Sequence, residues 1–217
     1  MGDCRRGGRK LEKKSRPGMK TDRYSMSFTT GGLFHRESVK LATLFMELGT
    51  WDVVRDRVLS ENLLQARTQN TAKRVCREVC SRLKSLEPKE FELLIRGTPQ
   101  EQGYLLWLAV CRRYKFIADF AVEIIRERYL SLKADLHYED FDSFFNKKSE
   151  WHRELEEIKP ITRNKLRQIL FKILREAGLI GSDNSIIAAM PSPRLLDVIS
   201  RENRRDLLLF PIFETDL

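Results

Sequence analysis

The 217-residue chain is poor in the residue types on which much protein chemistry depends. It has three histidines, His35, His137 and His152, and none stands in HExxH or another metal-ligand spacing. Its four cysteines, Cys4, Cys76, Cys80 and Cys111, form no CxxC pair, and three fall in helix-patterned segments. They read as small buried thiols of a reducing compartment rather than as disulfides or zinc ligands. GxSxG, GxxxxGK[ST] and GxGxxG are absent, which removes the usual signatures of a serine hydrolase, a phosphate loop and a dinucleotide site. Two acidic groups, Glu154, Glu156 and Glu157 and Asp135, Glu139, Asp140 and Asp142, read as solvated faces rather than metal sites. No enzyme, metal or cofactor is expected.

Long hydrophobic runs are missing too. "YLLWLAVC" (Tyr104–Cys111) stops at Arg112-Arg113, short of the roughly 20 residues that a membrane-spanning helix needs. The first residues lack the apolar core of a secretory signal. The expectation is a cytoplasmic protein with no membrane insertion.

Positive charge is what the chain does have. The net charge is +9, and residues 1–23 carry nine cations (Arg5, Arg6, Arg9, Lys10, Lys13, Lys14, Arg16, Lys20, Arg23) against three acids. That segment, net +6, predicts a flexible basic tail on a nearly balanced body of net +3. Such asymmetry points to a polyanion, and arginines among glycines suit an arm that follows phosphates.

From Leu33 onward the apolar residues recur with helical period, so the class expected is all-α. "LFHRESVKLATLFMELG" sets Val39, Leu41, Ala42, Phe45, Met46 and Leu48 on one stripe, with Gly49 as its stop. Trp51–Ser60 reads as a short helix. In "TQNTAKRVCREVCSRLKSL" the apolar positions oppose Lys73, Arg74, Arg77 and Lys84. Thr98-Pro99 opens a segment apolar nearly all round, which predicts one or two helices in the middle of the core. An acidic, less periodic stretch near 132–142 marks a boundary, giving units at 24–135 and 136–217. In the second unit "TRNKLRQILFKILREAGLI" places Leu166, Ile169, Leu170, Ile173, Leu174 and Ala177 on one face of a helix starting at Thr162. Its other face presents Arg163, Asn164, Arg167, Gln168, Lys172 and Arg175, side chains able to read base edges or hold phosphates. A preceding helix and the turn "KPIT" make this a helix-turn-helix candidate. "SFTTGG" before the first helix is a second candidate anion site, with a capped turn as the stronger reading. "SIIAAM" is a candidate strand. "LLLFPIF" reads first as packing on its own domain, with a partner protein or a second copy of the chain (a homo-oligomer) as the alternative.

"YSMSFTTGGLFHRESVKLATLF", "ENLLQARTQNTAKRVCREVCSRL" and "LLWLAVCRRYKFIADFAVEIIRERYL" resemble the BrxA family of the BREX (bacteriophage exclusion) defence systems. The similarity runs from about Tyr24 to the end and includes "ITRNKLRQILFKILREAGLI" and "SPRL". It implies two small helical domains, an N-terminal bundle similar to NusB and a C-terminal bundle of helix-turn-helix or winged-helix type. It also implies double-stranded DNA and other BREX proteins as partners, with no catalytic residues to transfer. On this reading Lys73, Arg74 and Arg77 join the tail and the Arg163–Arg175 face as DNA contacts. The alternatives are a protein-interaction scaffold of the defence complex and an RNA-binding NusB-like factor.

Overall fold

Helix signals in the sequence fix most boundaries in the computed structural model, which describes residues 23–199 and 201–213. The first helices are α1 (His35–Leu48), α2 (Trp51–Ser60), α3 (Gln69–Leu83) and α4 (Pro88–Arg96). Gly49 ends α1 in the left-handed region (φ 75°), where a side chain would be strained. Thr68 caps α3 through the Thr71 N–H, and Pro88 takes the first position of α4, where no amide partner is lost. Met46, placed on the core stripe of α1 by its period, is 57% exposed because it stands at the rim of that stripe.

Next comes α5 (Pro99–Arg113), opened by a reciprocal cap in which Thr98 accepts from the Glu101 N–H and Glu101 from the Thr98 N–H. Every residue from Gly103 to Cys111 is buried, so α5 is the central helix, as its apolar circumference predicts. It packs on α1, α3 and α4 from one half of the chain and on α10 and the final turns from the other. A further helical run comprises α6 (Lys115–Phe120), a π-helical segment at Ala121–Arg126 and α7 (Glu127–Leu130).

The remaining elements are α8 (Tyr138–Ser149), α9 (Arg153–Glu156), α10 (Pro160–Glu176), α11 (Pro193–Val198) and a 3-10 segment at Arg201–Leu209. Helix α10 begins at Pro160, two residues before the predicted Thr162, because proline fits the first helical position. Three short extended pieces flank these helices. Residues 134–136 pair with 184–186, through Leu136 N–H to Asn184 O (3.0 Å) and an Asp135–Ser185 bridge. Residues 179–181 pair antiparallel with 185–187, through Gly181 to Ser185 (2.8 Å), Ile187 to Leu179 (2.9 Å) and an Ile180–Ile186 bridge. The third piece lies between the other two, and isolated bridges are the only β pairing among the described residues. "SIIAAM" thus supplies bridge partners rather than a full strand.

The 135/136 division falls in the connection between α7 and α8, and one buried cluster runs across it. Phe116 of α6 packs against Phe141, Phe144 and Phe145 of α8, with centroids 5.1–5.9 Å apart. The Trp107 indole N–H donates to Leu209 O at 3.0 Å, and Arg112 holds Glu90 through two bonds (2.6 and 2.7 Å) while also gripping Asp206. The "LLLFPIF" run packs inward, with Leu207, Leu209, Phe210 and Ile212 all buried.

Candidate nucleic-acid interface

Helix α10 buries Leu166, Ile169, Leu170, Phe171, Ile173 and Leu174, which fixes what its other side can present. That side divides into two strips. Arg163 and Arg167 lean toward α8 and share Asp142: Arg163 Nε donates to Oδ1 at 3.0 Å, and Arg167 Nη1 donates to Oδ2. Arg163 also reaches Asn146 Oδ1 (2.7 Å) and the Asp142 carbonyl (2.8 Å). Its guanidinium lies over Phe145 and that of Arg167 over Tyr138, at 4.5 and 5.0 Å from the ring centroids. Both side chains are under a quarter exposed. Arg175 donates to Asn184 Oδ1 (2.7 Å) and so ties α10 to the hairpin turn. These three arginines fasten α10 to its own surroundings.

The outer strip holds Ile161, Asn164, Lys165, Gln168 and Lys172, all exposed. Lys165, Gln168 and Lys172 are spaced i, i+3 and i+7, so they share one line along the helix. The side chains of Asn164, Lys165 and Gln168 make no hydrogen bond or ion pair among the described residues, and Lys172 pairs only with Glu176, at 3.7 Å. Lys165 was absent from the predicted set. Its spacing to Gln168 and Lys172 was the signal that could have found it. Ile161, 77% exposed at the start of the helix, was missed because an apolar residue is assigned to the core by default.

The N-terminal segment runs beside this strip. Tyr24 stacks on His152 (3.9 Å between centroids), and its N–H donates to Glu154 Oε1 at 2.7 Å. The Tyr24 hydroxyl donates to Asp119 (2.5 Å); burial and that carboxylate push its pKa well above the ordinary tyrosine value. Burial raises the Glu154 pKa, and the Tyr24 N–H bond, with help from His152, more than offsets it, so the carboxyl is held below its ordinary value. Thr29 lines a cleft of about 590 Å³ with Ile161, Thr162, Asn164, Lys165 and Gln168. The exposed Arg23 therefore lies next to α9. The other tail cations, Arg5, Arg6, Arg9, Lys10, Lys13, Lys14, Arg16 and Lys20, lie outside the described residues.

Lys73, Arg74 and Arg77 stand apart from α10, exposed in a second cleft between α2 and α3. The "SFTTGG" turn is occupied from within. Glu176 accepts the Leu33 N–H at 2.6 Å, and a Cβ on Gly32 would lie 2.2 Å from that carboxylate. The anion at the start of α1 is the protein's own, so the capped turn is the reading that holds.

The acidic stretch before α8 is likewise engaged. Asp140 pairs with Arg128 (2.6 Å) and accepts the His137 N–H, and Asp135 pairs with His137. Among the described residues no group of His, Cys, Asp and Glu is arranged to hold a metal ion, and no helix is long and apolar enough to cross a membrane. Cys76, Cys80 and Cys111 are free and buried.

A family model described as BrxA matches residues 22–203. The chain is 26% identical over 180 residues to the BREX protein BrxA of Escherichia coli O9:H4 (strain HS), covering 82% of this chain and 84% of that one. It is 28% identical over 166 residues to the BREX protein BrxA of Paramagnetospirillum magneticum, covering 75% and 81%. The crystal structure of an uncharacterized protein from Magnetospirillum magneticum shares the fold, with a TM-score of 0.75 at 21% identity over 87% of this chain and 98% of that one. The matched segment takes in α10, its outer strip and nearly all of the core that holds them, and the chain belongs to the BrxA family.

Proposed function

We propose that the protein is a non-enzymatic, double-stranded DNA-binding component of a BREX phage-defence system, working in the cytoplasm with other BREX proteins. The observation that carries this reading is the exposed outer strip of α10, whose Asn164, Lys165 and Gln168 side chains have no partner among the described residues. Asn and Gln side chains suit adenine edges, and lysines suit the flanking phosphates. A helix of 17 residues spans roughly 25 Å, and the major groove, about 12 Å wide, admits it.

The surrounding connectivity supports a winged-helix reading: an edge piece, two helices, α10, then a hairpin whose return piece is central. In this reading α10 enters the groove and the 182–184 turn is the wing. The turn carries Asp183, which bonds to the Ser185 N–H and hydroxyl, and no cation, so it positions α10 without gripping phosphate. The basic segment that ends at Arg23 supplies the long-range attraction.

Fluorescence anisotropy with a labelled 25-base-pair duplex, competed by unlabelled duplex, single-stranded DNA and RNA, tests the reading. Preferential displacement by duplex DNA is expected. Preferential displacement by single strands or RNA, or no binding at low salt, overturns it.

A further inference from the structure

The cleft between α2 and α3, of about 620 Å³, is lined by Arg55, Lys73, Arg74 and Arg77 with Asp56 as its one carboxylate. Several arginines elsewhere in the fold are paired with acids: Arg82 with Glu78, Arg112 with Glu90 and Asp206, Arg128 with Asp140, and Arg163 and Arg167 with Asp142. Here Arg55 alone has an acid, Asp52, outside the lining. The side chains of Lys73, Arg74 and Arg77 have no hydrogen bond or ion pair among the described residues. Both Lys73 and Arg74 stand one helical turn from Arg77, an arrangement of like charges that destabilises a helix left without a counter-charge.

We infer that this cleft is a second DNA-backbone site, so that one molecule holds two duplex segments, one on α10 and one between α2 and α3. The choice of duplex rests on the reading of α10 above; the polyanion class rests on the cleft alone. No aromatic ring lines it, so it offers no platform on which unpaired bases could stack. Thr71 and Asn70 add neutral polar groups suited to phosphate oxygens. None of its lining residues belongs to α10, so the cleft and the α10 strip are separate sets of side chains.

The test uses the full chain, one duplex fixed on beads and a second, fluorescent duplex in solution. The wild-type protein is expected to retain the fluorescent duplex on the beads. The Lys73→Gln/Arg74→Gln/Arg77→Gln variant is expected to lose that retention at least fivefold while still binding a single duplex through α10. Circular dichroism confirms that the variant is folded. Undiminished retention by the variant would place bridging on another surface or on paired copies of the chain, and would overturn the inference. So would wild-type protein that binds one duplex and never bridges, or a variant that cannot bind a single duplex. Wild-type protein that binds no duplex at all overturns the α10 reading instead.

Discussion

Asp142→Asn isolates the role of the two arginines on α10. The substitution keeps the side-chain shape and removes the charge that Arg163 and Arg167 share. Hydrogen bonds to charged groups contribute about 1.5–3 kcal/mol each, and exposed ion pairs under about 1. Asp142 is 33% exposed and its partners 22–23%, between those limits, and Arg163 keeps its bonds to Asn146 and the Asp142 carbonyl. The expected loss is therefore about 2 kcal/mol. For a chain of 217 residues this lowers Tm by roughly 4–8 °C. Thermal unfolding followed by circular dichroism reads the shift, and anisotropy at 20 °C reads duplex affinity, expected to stay within about twofold. An unchanged Tm together with markedly tighter DNA binding would refute the assignment. It would mean that Asp142 restrains arginines otherwise available to phosphate.

Three further predictions concern the scaffold. Gly103 sits in the buried middle of α5, where an added methyl would meet the Ala177 backbone at 3.6 Å, an ordinary contact; Gly103→Ala should stabilise by about 0.5–1 kcal/mol in urea unfolding. Trp107→Phe strips Leu209 of its indole donor and should cost about 1–3 kcal/mol, read from the same midpoints. The Glu101 pKa is held below its ordinary value, first by the Ser192 hydroxyl (2.5 Å) and then by the Thr98 N–H. A depressed folded pKa contributes stability that is present above the unfolded value and lost as pH falls through the folded one. The deficit of Glu101→Gln relative to wild type should accordingly shrink between pH 6 and pH 3, about the range in which a carboxylate titrates, when urea midpoints are compared.

How much was legible follows the range of each interaction. The α10 period, the Thr98 cap and the all-round apolarity of α5 are local patterns, and the structure reproduces them. The pairing of Asp142 with Arg163 and Arg167 spans 21 and 25 residues, and the Glu176–Leu33 bond spans 143. No periodicity encodes such partners, so the sequence alone puts Arg163, Arg167 and Arg175 beside Asn164 and Gln168 on one surface. The bridges at 134–136 and 179–187 are too short to leave an alternating pattern, which is why the sequence shows the hairpin after α10 only as a candidate strand at "SIIAAM".

The outer strip of α10 is the central claim, and its most direct test is the salt dependence of duplex affinity in Lys165→Gln/Lys172→Gln beside wild type. Each lost phosphate contact reduces the slope of log K against log salt by about 0.9, so the double variant should lose close to two units. A double variant with the wild-type slope and affinity would contradict the account.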